Sequence, residues 1–149
     1  MYSPNNRGLM HVLLVEDNPG DALLIQEAIQ ASSVDCQITV ARDGEVALAM
    51  LSGAANAPAL SRPDLVLLDL NLPKMNGHEV LKELKTCDAL RPIPVMVLTS
   101  SRAERDVSIA YDLHCNAYFC KPSTFAEYVQ LTRIVTAFWQ KAVPSRPAI

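Results

Sequence analysis

The chain has 149 residues, of which 50% are hydrophobic and 19% are charged, and its formal net charge is −3. This length suits one domain and excludes two large ones, while the high apolar content and small net charge exclude intrinsic disorder for most of the chain. The slight excess of acidic residues argues against a nucleic-acid-binding surface, which needs clustered lysine and arginine.

Short apolar runs alternate along the chain with longer runs of helical spacing, and these patterns are typical of strands and helices respectively. The run from Val12 to Val15 is apolar throughout, as expected of a strand that is buried on both faces. The predicted elements are a strand at 12–15, a helix at 22–31, a strand at 37–41, a helix at 45–51, a strand at 64–68, a helix at 78–86, a strand at 95–98, a helix at 103–113, a strand at 117–120 and a helix at 124–139. A loop of small residues at 52–63 is long for a connection in a compact domain.

Five strand–helix pairs with apolar central strands predict an α/β fold, a doubly wound five-stranded parallel sheet with helices on both faces. Right-handed crossovers leave this order of elements little topological freedom. We expect the domain to span residues 11–141, with a flexible N-terminal segment at 1–10 and a C-terminal tail at 142–149.

The sequence carries no signal for a membrane or for secretion. No stretch reaches the roughly 18 consecutive apolar residues that a membrane span needs, and the polar N-terminus does not resemble a signal peptide. The four cysteines, at 36, 87, 115 and 120, form neither a CxxC pair nor a zinc-ligand spacing. We therefore expect a cytoplasmic protein whose thiols are free and which binds neither membrane nor nucleic acid.

Polar residues that could form one site follow the first, third, fourth and fifth predicted strands. Glu16 and Asp17 come after the first strand, Asp69 after the third, Thr99 after the fourth and Lys121 after the fifth. Because ligands bind at the carboxyl ends of parallel strands, we expect these side chains to meet at one edge of the sheet. Adjacent carboxylates raise one another's pKa unless a cation neutralises them. Carboxylate oxygens suit Mg²⁺, so the set predicts a magnesium site beside a carboxylate that a phosphoryl group could occupy.

Each of these residues alone has a purely structural interpretation as a turn former or helix cap. Their joint placement at strand ends favours a functional site. The ordered set Glu16-Asp17, Asp69, Thr99-Ser100 and Lys121-Pro122 resembles the receiver domains of two-component response regulators, over roughly residues 12–139. The resemblance implies a flavodoxin-like sheet with strand order 2-1-3-4-5, and a phosphoacceptor switch that is not an enzyme beyond its own phosphorylation and autodephosphorylation.

The resemblance also implies the chemical roles of the matched residues. Asp69 would accept a phosphoryl group from a phosphohistidine on a sensor histidine kinase. Mg²⁺, or alternatively Mn²⁺, would be held by Glu16, Asp17 and Asp69 together with the backbone carbonyl of Asn71. Such a site would act by positioning and charge stabilisation, which dominate phosphoryl transfer.

Further roles follow from the same resemblance. Lys121 would pair with the phosphoryl oxygens, and Thr99 would hydrogen-bond one of them. Tyr118 would be the switch aromatic that rotates inward as Thr99 moves. The peptide bond between Lys121 and Pro122 would be cis, a form that only X–Pro bonds adopt at low cost.

One departure from the receiver pattern concerns His114-Cys115, where receivers commonly have Gly-Ala. Glycine there serves a helix end with positive φ, and histidine is one of the few other residues that tolerate this region. The segment 111–114, Asn116 and the pair Phe138-Trp139 resemble the small receivers associated with phytochrome-class histidine kinases. This resemblance implies a phytochrome-class kinase as the partner.

The last predicted helix carries two apolar stripes, and the 28 residues after Lys121 leave no room for an output domain, so we expect signalling through protein contacts. One stripe should cover the sheet. The other could be ordinary core, but an exposed apolar patch favours a homodimer through the face formed by the fourth helix, fifth strand and fifth helix. The predicted interface residues are Phe125, Tyr128, Leu131, Val135, Phe138 and Trp139.

Three other functions fit the sequence less well. A phosphatase of the haloacid dehalogenase type would also have an aspartate at a strand end, but it needs a second aspartate where this chain has Asn71. A nucleotide-binding domain would need a glycine-rich phosphate loop, and neither GxGxxG nor GxxxxGK[ST] occurs. A scaffold that no longer accepts phosphate is disfavoured because no member of the acidic set is missing.

Overall fold

The computed structural model describes residues 9–53 and 62–142, with side chains described as far as Phe138 in the last helix. Strands and helices alternate as β1 (Met10–Val15), α1 (Pro19–Ala31), β2 (Cys36–Ala41), α2 (Gly44–Ser52), β3 (Leu65–Leu68), α3 (Gly77–Thr86), β4 (Val95–Thr99), α4 (Glu104–Asp112), β5 (Ala117–Cys120) and α5 (Phe125–Ala142). The strands form one parallel sheet in the order β2-β1-β3-β4-β5. The predicted fold class and strand order are confirmed.

The three central strands, β1, β3 and β4, are buried along their whole length. Because successive side chains of a strand point to opposite faces of the sheet, alternate residues enter two separate cores. Leu13 and Val66 lie in the core beneath α2, α3 and α4, whereas Leu14 and Leu67 lie in the core beneath α1 and α5. Fully burying one such side chain contributes about 1.5–3 kcal/mol, so the continuous apolar runs fix the sheet in the middle of the molecule.

The start of the domain differs from the prediction by one residue. Met10 was expected in the flexible segment at 1–10, but it is fully buried and begins β1. Its backbone N–H donates to the carbonyl of Asp35 (2.9 Å), so pairing with β2 extends the strand backward. Residues 1–8, most of the loop predicted at 52–63, and most of the predicted tail lie outside the described residues.

Helix α1 begins at Pro19, three residues before the predicted start. The Asn18 side chain caps it by accepting a hydrogen bond from the backbone N–H of Asp21 (3.1 Å). Proline is favoured in the first turn because its fixed φ suits a helix and its missing N–H would have no helical partner. Residues 19–21, which precede the predicted start of this helix, are therefore its first turn, and this turn includes Asp21.

His114 has φ = +69°, as expected for a residue that stands where receivers commonly have glycine. It follows Leu113, the C-cap of α4, and leads the chain toward β5. Throughout the described ranges, no helix is long and apolar enough to cross a membrane.

Candidate functional site

The carboxyl ends of the strands bring three acidic side chains together. Val15 of β1 pairs with Leu68 of β3, so the residues that follow them, Glu16 and Asp69, lie side by side. Carboxylate oxygens of Glu16, Asp17 and Asp69 all lie within 4.8 Å of one another. Glu16 and Asp69 are buried, whereas Asp17 is exposed. Oxygen ligands in a half-open cluster fit a hard divalent cation such as Mg²⁺.

Lys121, the residue after β5, places its ammonium against this cluster. Its Nζ lies 2.7 Å from Glu16 Oε1, 2.9 Å from Asp69 Oδ2 and 2.8 Å from Asp21 Oδ2. The backbone N–H of Lys121 donates to the carbonyl of Thr99 (2.8 Å), which extends the β4–β5 pairing by one residue and fixes where the side chain starts. The predicted convergence of Lys121 on the acidic residues is therefore found.

Asp21 is the one residue of this charged cluster that the sequence analysis missed. It lies in the first turn of α1, directly after the loop that leaves β1. The signal that could have found it is the sequence Asn-Pro-Gly-Asp, because an N-cap asparagine followed by proline predicts a helix start at this edge of the sheet. Because the helix was predicted to start at Ala22, Asp21 fell in the preceding turn, and the direction of its side chain could not be predicted.

Burial and charge act in opposite directions on the ionisable groups of the site. Burial raises the pKa of Glu16 to about 7; the hydrogen bond from Lys121 lowers it, and the neighbouring charge of Asp69 raises it. Burial would lower the pKa of Lys121, but hydrogen bonds to Asp21, Glu16 and Asp69 outweigh it and raise the pKa above its ordinary value. Lys121 therefore stays protonated, but its single positive charge does not balance the negative charges of the neighbouring carboxylates. A bound cation would supply the missing positive charge.

The two oxygens of Asp69 have different partners. Oδ2 accepts from Lys121 Nζ, and Oδ1 accepts from the backbone N–H of Asn71 (3.1 Å). Asn71 is thereby held beside the acidic cluster, where its backbone carbonyl was expected to serve the metal. Its side-chain Nδ2 lies 3.5 Å from Thr99 Oγ1, and Thr99 is fully buried at the end of β4.

Gly77, at the start of α3, packs directly on the backbone that carries Asp69. Its N–H donates to the carbonyl of Leu70 (2.9 Å). A Cβ at this position would lie 2.4 Å from the Asp69 carbonyl oxygen and 2.5 Å from the Leu70 Cα. Only glycine allows the helix to approach this closely, so Gly77 supports the placement of Asp69.

Tyr118, the expected switch aromatic, is half-buried in β5 and donates its hydroxyl to the carbonyl of Ser101 (2.9 Å). The backbone N–H of Ser101 in turn lies 3.5 Å from Thr99 Oγ1, and the Ser101 hydroxyl donates to Asp106 of α4. Thr99 and Tyr118 therefore both contact one loop, the β4–α4 connection, and any movement of that loop affects both.

Two predictions about this region are wrong. The Lys121–Pro122 bond was expected to be cis, but every peptide bond in the described ranges is trans. Trans is the form that X–Pro bonds favour by about 0.5–1 kcal/mol, and Lys121 reaches Asp69 with it.

The second error concerns the proposed dimer surface on α5. Tyr128 and Val135 are only 4% and 5% exposed and lie in the core shared with α1. Positions 128, 132 and 135 recur at helical spacing and so form the face that packs inward. Leu131 is half-buried at its margin, and the Trp139 side chain lies outside the described residues.

Comparison with known proteins agrees with this geometry. The family model described as "Response regulator receiver domain" matches residues 12–133. This chain belongs to that family. The chain is therefore a two-component response regulator, and its family implies a sensor histidine kinase as partner. The phosphatase alternative is not favoured.

Two named relatives are similar to this chain over most of its length. It is 41% identical over 132 residues to "Response regulator Rcp1" of Synechocystis sp., an alignment covering 89% of this chain and 90% of that protein. It is equally identical, 41% over 128 residues, to "Probable methanogenesis regulatory protein FilR2" of Methanothrix harundinacea, covering 86% of this chain and 82% of that one.

Solved structures give the same result. The phosphorylated cyanobacterial phytochrome response regulator RcpA superimposes with a TM-score of 0.84 at 42% identity, covering 93% of this chain and 99% of that one. The Mn²⁺-bound form of Rcp1 gives a TM-score of 0.79 at 41% identity, with the same two coverages. Receiver domains bind Mg²⁺ or Mn²⁺ at an acidic pocket, and the cluster of Glu16, Asp17 and Asp69 in this receiver is of that kind.

Proposed function

We propose that Asp69 is the phosphoacceptor of this receiver and takes a phosphoryl group from a phosphohistidine of its sensor kinase in a reaction that depends on Mg²⁺ or Mn²⁺. One observation carries the proposal. The Asp69 carboxylate lies 2.9 Å from the Lys121 ammonium and within 4.8 Å of two further carboxylates, at the sheet edge where ligands of this fold bind.

In the transfer, a carboxylate oxygen of Asp69 forms a bond to phosphorus while the phosphorus–nitrogen bond of the phosphohistidine breaks. The imidazole leaves with the bonding electron pair. The transition state is loose and spreads negative charge over the phosphoryl oxygens, so Lys121 stabilises it by its charge and Thr99 by a hydrogen bond from Oγ1. A divalent cation held by Glu16, Asp17, Asp69 and the Asn71 carbonyl would supply further positive charge at those oxygens.

The outcome of the transfer is a conformational switch, and hydrolysis of the aspartyl phosphate by the domain itself resets it. Phosphorylation adds charge and acceptor oxygens beside Thr99. The contacts of Thr99 and Tyr118 with Ser101 support a movement of the β4–α4 loop in which Tyr118 rotates as Thr99 turns toward the phosphoryl group. The domain has no other substrate in this proposal.

A phytochrome-class histidine kinase is the proposed phosphodonor, and the reaction takes place in the cytoplasm. Two solved structures of similar fold support this assignment. One is RcpA, a cyanobacterial phytochrome response regulator, and the other is a response regulator in red light signaling of R. palustris, at 31% identity and a TM-score of 0.80. The sequence features at 111–116 support the same assignment. The four free cysteines suit a reducing compartment.

The proposed signalling surface is the face formed by α4, β5 and α5, through which the receiver contacts its targets and a second copy of itself. Phe125 and Phe138 of the predicted interface are exposed on α5, and Ile134, about one turn before Phe138, is 58% exposed. Tyr111 of α4 is also exposed. Exposed apolar side chains support a protein interface on this face, which a second copy of the chain would meet symmetrically; neither nucleic acid nor membrane is among the proposed partners.

The phosphoacceptor is tested by incubating the protein with Mg²⁺ and a small phosphodonor and measuring the intact mass. Wild type should gain one phosphoryl group, and Asp69→Ala should gain none. Asp88→Asn is the matched control, since its side chain is 90% exposed on the surface, and it should be labelled like wild type. Equal labelling of Asp69→Ala and wild type would contradict the proposal.

A further inference from the structure

Asp21 differs from the other two carboxylates that bind Lys121. Glu16 and Asp69 belong to the cluster that suits a divalent cation, whereas Asp21 does not. The Asp21 side chain is 30% exposed, compared with 1% for Glu16 and 5% for Asp69. Its backbone is fixed by the Asn18 cap in the first turn of α1, so the contact with Lys121 comes from a rigid element.

The three carboxylates together occupy the hydrogen-bonding capacity of Lys121. An ammonium group has three N–H donors, and three carboxylate oxygens lie between 2.7 and 2.9 Å from Nζ. A phosphoryl group on Asp69 needs at least one of these donors. It can take the one that Asp69 itself releases, but Asp21 continues to hold another.

Charge adds to this competition. A phosphoryl group on Asp69 carries negative charge, and the Asp21 carboxylate binds the same ammonium that Asp69 binds. A cation bound to the acidic cluster would neutralise Glu16 and Asp69 but not Asp21. The Asp21 carboxylate therefore repels the phosphoryl group and shares the one cation that the chain itself supplies.

We propose that Asp21 is a positioning residue that competes with the phosphoryl group for the Lys121 ammonium and thereby weakens binding of the phosphoryl group at Asp69. The inference rests on the proposed role of Asp69. Removing the charge of Asp21 should stabilise the phosphorylated form, because Lys121 keeps Glu16 as its anchor and gains a free donor.

The test titrates beryllofluoride, a phosphoryl analogue, into the full chain at saturating Mg²⁺ and measures the affinity by calorimetry. Asp21→Asn keeps the shape and an acceptor oxygen but loses the charge, and it should bind the analogue about three- to tenfold more tightly than wild type. Asp21→Ala should also bind more tightly. Glu27→Gln, an exposed position on the same helix, is the control for net charge and should bind like wild type.

Titration of Mg²⁺ alone supplies a second readout with the opposite sign. Asp21→Asn removes a negative charge near the metal-binding carboxylates, so the affinity for Mg²⁺ should fall slightly while that for the analogue rises. If Asp21 merely held the site together, its loss would weaken both. Analogue affinity that is unchanged or weaker in Asp21→Asn overturns the proposal, whereas a wild type that binds no analogue contradicts the phosphoacceptor role of Asp69 instead.

Discussion

The carboxyl edge of the sheet and the outer face of α5 contrast in how their side chains are placed. At the sheet edge, backbone hydrogen bonds between strands fix which residues meet, as when the Asp69 N–H donates to the Val15 carbonyl (3.0 Å). On α5, the rotation of the helix decides which apolar residues face inward, and that rotation depends on packing against α1. Functional side chains on strand ends are therefore determined by register, whereas those on a helix that is apolar on several sides are determined by tertiary contact.

The largest effect is expected where the sheet edge depends on one cation. Lys121→Met leaves the site carboxylates without their ammonium, so labelling by a small phosphodonor should fall about 100-fold or more. Affinity for Mg²⁺ should rise at the same time, because the Lys121 ammonium no longer competes with the metal for the carboxylates. Phosphorylation rates and metal titrations measure both effects.

Lys82→Met is the control for this substitution, since Lys82 is exposed on α3. It removes the same charge away from the cluster and should leave both quantities as in wild type. If Lys121→Met were labelled at the wild-type rate, the Lys121 ammonium would have no role in the transfer, and strand register alone would account for its position beside Asp69.

The second prediction concerns the close approach that holds Asp69 in place. Gly77→Ala puts a methyl group into the Asp69 carbonyl and should cost about 1–3 kcal/mol of unfolding free energy. Labelling should fall too, because the shifted backbone carries the phosphoacceptor. Urea unfolding and the mass assay measure the two losses.

Gly20→Ala provides the comparison within the same fold. The nearest atom to a Cβ there is the Asn18 side-chain oxygen at 3.2 Å, which can give way more easily than backbone. Its loss of stability should be smaller than that of Gly77→Ala. Equal losses would mean that the contact of α3 with the Asp69 backbone is not specially tight.

The sequence was sufficient for the fold and for most of the site because both depend on strands whose apolar runs have clear ends. Glu16, Asp69, Thr99 and Lys121 each follow such a run directly. Asp21 could not be placed in this way, since its direction depends on the exact first turn of α1. The inward orientation of Tyr128 depends on contacts with α1, which no local pattern on α5 contains.

The third prediction separates the two faces of α5. Val135→Ala removes buried atoms from the core and should cost about 1–3 kcal/mol in urea unfolding, whereas Phe138→Ala, at a 43% exposed position, should stay within about 0.5 kcal/mol. Association should show the reverse order. In analytical ultracentrifugation at micromolar protein, Phe138→Ala should shift the dimer toward monomer.

The matched control for association is Leu23→Ala, another exposed apolar residue but on α1. It should leave the dimer intact. A wild type that sediments as a monomer, both with and without beryllofluoride, would contradict the proposed homodimer and leave the α5 face for other partners.

The smallest effect is expected at the loop that connects the sheet edge to the face formed by α4, β5 and α5. Tyr118→Phe removes one hydrogen bond, that of the hydroxyl to the Ser101 carbonyl, and should cost about 0.5–1.5 kcal/mol. Labelling of Asp69 should persist, since the hydroxyl donates to Ser101 and Phe leaves the carboxylates and Lys121 unchanged, while amide exchange in the β4–α4 loop should become faster. Tyr111→Phe, at an exposed position of α4, should change neither quantity. If Tyr118→Phe left loop exchange as slow as in wild type, the Tyr118 hydroxyl would not be what joins β5 to the loop, and the coupling would depend on Thr99 and on the contact of Cys120 Sγ with the Ser101 carbonyl (3.7 Å).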